Sequence, residues 1–357
     1  MEFIDILKAT VDRGASDLHI VIGRPPMVRY EGAIVPLQGF PTLTSEESKR
    51  LIYSILYDDQ KQKFEENLEL DCSFEVKDIS RFRINVFMQK NGVESVLRVI
   101  SSKIPSAEEL RLPLAVMEMI DVPRGLVLVT GPTGCGKSTT LACLVQMINE
   151  KYKHNIITIE DPIEFVYEPV NAVIRQREVG QSTRSFTNAL RSALREDPDV
   201  ILVGEMRDLE TIQLAVTAAE TGHLCFGTLH TTDAASTVDR IIDVFPPFQQ
   251  EQIRVQLSSV LKCVVSQTLL SRSDESGRIA AREIMITIPA ISNLIRESKS
   301  HMIKNAIETG GKFGMITLDK ALIDLVNSGL ISVESAMAKA SDPDFVRSGG
   351  KAKVNAY

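Results

Sequence analysis

The apolar positions divide the chain into two unlike stretches. In the first, Phe3, Ile4, Leu7 and Val11 recur three and four apart, the spacing of one helical face, and Gly14 follows as a stop. Leu18 to Ile22 is a short apolar run that predicts a strand. Thr44-Ser45-Glu46-Glu47 has the form of a capping box, with Leu51, Ile52 and Ile55 behind it as the buried face of a helix. Arg81–Lys90 and Val93–Ile100 alternate with period two about Asn91-Gly92, a favoured two-residue hairpin turn. That turn sets Lys90 opposite Val93 and Asn85 opposite Arg98. Alternation then places Arg81, Arg83 and Arg98 on one face and Phe82, Ile84, Val86, Leu97 and Val99 on the other, buried one. The three arginines are either a solvated face or a cationic surface that meets a phosphate.

Residues 101–112 read as a linker in which Ser106 to Glu109 is a second capping box opening a helix. From Gly125 the pattern changes. Short aliphatic runs at Leu126–Thr130, Ile156–Ile159, Val200–Val203 and Leu224–Thr228 alternate with helical segments, which predicts a mostly parallel sheet covered by helices. After residue 245 the pattern is mainly helical, with one hairpin near Arg278–Ile286. Beyond Ser341 no apolar period survives, and residues 341–357 read as a flexible tail. The expected organisation is therefore an N-terminal α+β domain (1–100), a linker (101–112), an α/β domain with a helical C-terminal part (113–340) and the tail.

At 357 residues, two domains are the natural division. No apolar run reaches the length of a membrane span, and Met1 to Asp5 lacks the basic start of a signal peptide, so a cytoplasmic protein is expected. The net charge of −7 argues against nucleic acid as a partner, because such binding neutralises phosphates with basic side chains. Five scattered cysteines with no C-x-x-C pair fit reduced thiols and exclude a four-cysteine zinc site.

One motif carries chemistry outright. Gly131-Pro132-Thr133-Gly134-Cys135-Gly136-Lys137-Ser138 matches G-x-x-x-x-G-K-[ST] in full. It follows an apolar strand and precedes a helical pattern with Leu141, Leu144, Val145 and Ile148 inward. Together with Thr139 it forms a nucleotide-binding loop. Its glycines let backbone N–H groups turn toward phosphate oxygens, and the helix N-terminus adds a positive dipole end. Lys137 is expected to reach the β- and γ-phosphates of ATP, and Ser138 to offer its hydroxyl to Mg²⁺.

Phosphoryl transfer also needs a carboxylate near the metal and one that orients water. The run Ile156–Ile159 leads into Glu160-Asp161, and Val200–Val203 into Gly204-Glu205, which brings acids to the edge that carries the loop. The bland reading of these acids is helix capping. Which of Glu160 and Glu205 is the base, and which holds Mg²⁺ directly or through water, stays open. His230 leaves the same edge after Leu224–Thr228 and is a candidate γ-phosphate sensor or a structural histidine.

Thr158 to Phe165 resembles the Asp box of the type II/type IV secretion ATPase family. Arg195-Glu196-Asp197-Pro198-Asp199 through Gly204-Glu205-Met206-Arg207-Asp208 resembles its Walker B segment, and Gly227 to Arg240, with His230 and Asp239, its His box. Ala15-Ser16-Asp17-Leu18-His19 is similar to the start of the pilus-retraction (twitching-motility) subgroup. Ala290 to Glu297 resembles that subgroup's A-I-R-N-L-I-R-E motif, with Ser292 in place of its arginine. The bland reading of this last segment is an amphipathic helix packed through Ile291, Leu294 and Ile295. The resemblance implies a homo-hexameric ring of chains with a PAS-like N-terminal domain and a RecA-like ATPase domain. Arg81, Arg83 or Arg98 would then be arginine fingers in trans, Glu160 the water-activating residue and Glu205 the Walker B carboxylate. Asp161, Arg195, Asp199, Arg207, Asp239 and Arg240 would complete the ATPase motifs. It further implies a motor at the inner face of the cytoplasmic membrane, acting on a pilus platform protein and beside a companion retraction ATPase. The missing metal site sets the chain apart from extension and type II secretion ATPases, which remain the alternative. A nucleic-acid motor ranks below both.

Overall fold

A computed structural model describes residues 2–30, 32–77, 79–100 and 103–350. The chain forms two units, residues 1–103 and 104–357. In the first, strands β1 (Asp17–Ile20), β2 (Met27–Tyr30), β3 (Ala33–Pro36), β4 (Glu69–Val76), β5 (Ser80–Gln89) and β6 (Gly92–Ile100) build one antiparallel sheet in the order β3-β2-β1-β6-β5-β4. Helices Phe3–Asp12, Ser45–Ser54 and Asp58–Asn67 contribute Phe3, Ile6, Leu7, Leu51, Ile52 and Phe64 to a core shared with Leu18, Phe82, Ile84, Val86 and Leu97. Each such side chain contributes about 1.5–3 kcal/mol by leaving water, so a one-residue slip of a strand would be prohibitive.

The hairpin register differs from expectation by two positions. Gln89 pairs with Gly92, Met88 with Val93 and Arg83 with Arg98, so Lys90 and Asn91 are the turn residues. Ser45 Oγ donates to Asn91 O at 3.0 Å, and a Cβ on Gly92 would lie 2.5 Å from that hydroxyl. Gly92 is therefore used for close approach to the neighbouring helix, not as a turn corner. A shift of two leaves every side chain on its face, and Arg81, Arg83 and Arg98 still share one.

The second unit holds β7 (Gly125–Thr130), β8 (Asn155–Glu160), β9 (Val173–Glu178), β10 (Val200–Val203), β11 (Leu224–Leu229), β12 (Leu261–Ser271) and β13 (Arg278–Ile286), ordered β13-β12-β7-β11-β10-β8-β9. All neighbours are parallel except β12 and β13. Leu126 and Leu128 point into one core and Val127 and Val129 into the other, so both faces are covered. The architecture is α/β, a PAS-like α+β part followed by a RecA-like part with helices on both faces of a mostly parallel sheet.

Two expectations are corrected at the ends of this unit. Ser106 and Glu109 do exchange their capping bonds, at 2.8 and 3.1 Å, but they close a single turn, and the next helix, Leu114–Met117, begins only after Pro113. Arg111 turns to φ +49°, and Pro113 disfavours helix at Leu112. Ile104, Ala107, Leu110 and Leu112 pack on the same core as Val127 and Val129, so this part of the expected linker belongs to the second unit. The expected flexible tail contains a helix, Pro343–Arg347, capped by Asp342, with Val346 buried against Leu322 and Ile331. Asp319 accepts bonds from Ser341 N and Asp342 N at 2.7 and 3.1 Å. Ser101 and Ser102 of the linker and residues 351–357 of the tail lie outside the described residues. Among the described residues no helix is long and apolar enough to cross a membrane.

Candidate active site

Strand β7 ends at Thr130 and the helix Lys137–Lys151 begins seven residues later, with Gly131–Gly136 between them. Gly131 has φ +139°, and a Cβ there would sit 2.3 Å from Gln267 O, so only glycine fits. Lys137 Nζ is folded back over the loop, donating to Gly131 O at 2.8 Å and Pro132 O at 3.2 Å. Ser138 and Thr139 lie half-buried on the first helical turn. Cys135 is buried under the loop, and burial pushes its thiol up. It is a packing residue in this setting.

The strands bearing the acids do not flank β7 directly. β11 separates β7 from β10, and β8 lies one strand further out. His230, just past β11, bridges the gap. Its Nδ1 stands 3.5 Å from Lys137 Nζ and its Nε2 2.8 Å from Glu205 Oε1. An ammonium can only donate, so Nδ1 accepts and Nε2 carries the proton given to Glu205. Arg207 closes the far side of that carboxylate, with Nε 2.6 Å from Oε1 and Nη2 2.8 Å from Oε2. Partial burial raises the Glu205 carboxyl, but the bonds and charges of Arg207 and His230 outweigh it and hold it below its ordinary value. Lys137, His230, Glu205 and Arg207 thus form one continuous polar chain.

Glu160 ends β8 beside Gly204, whose N–H donates to Ile159 O at 2.8 Å. It is 8% exposed, and burial pushes its carboxyl up to about 7 against the opposing bonds that it accepts. Those bonds come from Thr158 Oγ1 at 2.7 Å, Glu164 N at 3.4 Å and Gln176 Nε2 at 3.5 Å. Gln176 on β9 also ties down the following loop, donating to Phe165 O at 2.7 Å and accepting from Tyr167 N at 3.0 Å. A carboxyl so placed changes protonation near neutral pH, which suits a base for water.

The remaining motif residues are spread out. Asp161 is exposed next to Glu160. Asp199 and Arg195 precede β10, at the edge of the sheet opposite the loop, where Asp199 accepts from Asn155 N at 2.8 Å. Asp239 and Arg240 lie beyond the first turn of the helix Ala234–Asp243. In the first unit Arg98 Nε meets Asp17 Oδ1 at 3.1 Å and Arg81 Nη2 meets Ser73 Oγ at 2.7 Å. Arg83 is exposed and makes no ion pair among the described residues. Sequence reasoning missed Thr158, Gln176 and Gln267, whose contacts depend on which strands become neighbours. It also missed a cavity of about 300 Å³ beside the loop, lined by Gly136, Thr139, Leu269, Arg278 and Ile279 among others.

A loop of this form, with carboxylates at neighbouring strand ends of a mostly parallel sheet, defines a P-loop ATPase. The chain belongs to the family described as type II/IV secretion system protein, which matches residues 3–337. It is 54% identical over 344 residues to the type IV pilus retractation ATPase PilT of Pseudomonas aeruginosa, covering 96% of this chain and 99% of that one. It is 51% identical over 319 residues to a twitching motility protein of Neisseria gonorrhoeae, covering 89% and 85%. Among solved structures, the pilus retraction motor PilT with bound ADP matches with a TM-score of 0.91 at 47% identity, covering 96% of this chain and 98% of that one.

Proposed function

We propose that this chain is a hexameric motor that hydrolyses ATP to power type IV pilus retraction, and so twitching motility. The polar chain from Lys137 through His230 to Glu205 carries the reading. It joins the residue that meets the terminal phosphates to a carboxylate two strands along, so the charge on the loop is felt across the sheet. Lys137 exchanges its loop carbonyls for the β- and γ-phosphates. Glu160, ionised above about pH 7, takes the proton of the attacking water. The hydroxyl of Ser138 and the carboxylate of Glu205 are hard oxygen donors that fit Mg²⁺. The ion supplies charge neutralisation on the phosphate oxygens when bound.

Arg83, with Arg81 and Arg98 beside it, serves as an arginine finger for the next subunit of the ring. The motor works in the cytoplasm at the inner face of the membrane, on a pilus platform protein and beside a companion retraction ATPase. Phosphate release measured beside Lys137→Ala and Glu205→Ala tests the enzyme. Loss of about 10²–10⁴-fold in both variants is expected, and equal rates in all three would remove the enzymatic reading. Deletion in a piliated host tests the direction of movement. Hyperpiliated, non-twitching cells are expected, whereas bald cells would assign extension instead.

A further inference from the structure

Gln267 and Arg282 stand opposite one another in the β12–β13 ladder, 3% and 6% exposed. Gln267 holds the phosphate loop where it passes into the helix Lys137–Lys151. Its Nε2 donates to Cys135 O at 2.8 Å, and its Oε1 accepts from Thr140 Oγ1 at 3.0 Å. A Cβ on Gly136 would come 3.3 Å from Nε2, so the amide also marks the corner where the helix begins. The same Oε1 accepts from Arg282 Nε at 3.4 Å. Arg282 Nη1 then donates to Leu110 O at 3.1 Å and Arg111 O at 3.4 Å. Leu110 and Arg111 belong to the turn with which the chain enters the second unit.

Arg282 makes no ion pair among the described residues. Burial lowers its guanidinium to about 10, and neutral oxygens are what keep it in place. Arg111 meanwhile sits at φ +49°, a backbone conformation costly for a residue with a side chain. A buried cation bound to carbonyls on a strained turn at one side and to the Gln267 amide that holds the loop at the other has little slack. Movement of the Cys135 carbonyl must be taken up somewhere along this line.

We propose that Gln267 and Arg282 are positioning residues that hold the phosphate loop ready for nucleotide and pass its occupancy to the Leu110–Arg111 turn. The inference rests on the nucleotide reading of the loop. The amides of Leu110, Arg111 and Leu112 donate to Ser106, Glu108 and Ala107 carbonyls, so their hydrogen exchange reports how tightly the turn is held.

Exchange is followed in the full chain with and without Mg-ADP, alongside the Mg-ADP dissociation constant. In the wild type, Mg-ADP slows these three amides about tenfold. Arg282→Met keeps the dissociation constant within about threefold, while the three amides no longer respond. Gln267→Met weakens Mg-ADP by about tenfold and also silences the turn, and it carries the test alone if circular dichroism shows Arg282→Met unfolded. A merely structural role would lower the melting temperature and leave the response to nucleotide intact. Variants whose turn still slows like the wild type, or a wild-type turn indifferent to bound Mg-ADP, would overturn the relay alone. A wild type that binds no Mg-ADP would overturn the reading of the loop and the relay with it.

Discussion

Burial has removed most of the hydration of Glu160, and its carboxyl holds a proton up to about pH 7. Two opposite consequences follow. The folded value lies above the unfolded one, so the protonated side chain contributes stability that is fully present below the ordinary carboxylate range and is lost as pH rises through about 7. Activity runs the other way, because only the ionised form can take a proton from water. The pH profile of kcat/KM for ATP hydrolysis is expected to rise with an inflection near 7. Thr158→Val removes a bond to the ionised form, so the inflection moves to higher pH. An unmoved profile in that variant would deny Glu160 the role of base. The acids and Lys137 were legible because strand-end carboxylates and a glycine-rich loop have few structural uses. Thr158 and Gln176 were not, since an amide on β9 means something only once β9 lies beside β8.

The helix Ala234–Asp243 carries the His230 segment into the core, and two carboxylates hold its first turn. Asp233 Oδ1 accepts from Ser236 N, and buried Glu283 Oε1 accepts from Ala234 N, each at 2.8 Å. Asp233→Ala removes an ordinary cap, at a cost of about 1 kcal/mol. Glu283→Leu strands a buried N–H and costs about 1–3 kcal/mol. Denaturant melts of the two variants check the ranking, and a milder Glu283→Leu would contradict it. Among elements, the strands leading to the loop and to Glu160, Glu205 and His230 were readable as aliphatic runs. β12 was not, because the helix Pro247–Val260 runs into it at Leu261 with no glycine or proline between. The hairpin was found with its faces right and its pairing two residues out, since alternation fixes the face but not the partner, and contacts of the turn such as Ser45 with Asn91 lie far off in sequence. The segment Ala290 to Glu297 lies mostly within the helix Pro289–Arg296, with Ile291 and Ile295 fully buried, as an amphipathic reading requires.

For the whole assembly, the arginine face makes the proposal of shared sites testable. Arg83 and Arg98 are directly opposite in the β5–β6 ladder, a pairing of like charges that costs stability. Arg83→Ala is therefore expected to leave thermal stability unchanged or slightly raised while lowering ATP turnover by about 10³-fold. Mixing Arg83→Ala subunits with Lys137→Ala subunits restores measurable turnover if each site draws its arginine from a neighbour, and mixtures as inactive as their components would exclude that arrangement. The antiparallel sheet of the first unit has a further consequence. Its two open borders are β3, four residues long and closed by Pro36, and β4, whose Glu69, Asp71 and Glu75 are exposed. Neither border invites a foreign strand to zip on, one because it is short and ends on a proline that lacks an N–H, the other through repulsion between acidic rims. Concentrated solutions of the protein are accordingly expected to stay clear of fibrils seeded by this sheet, which thioflavin fluorescence at rising concentration would check.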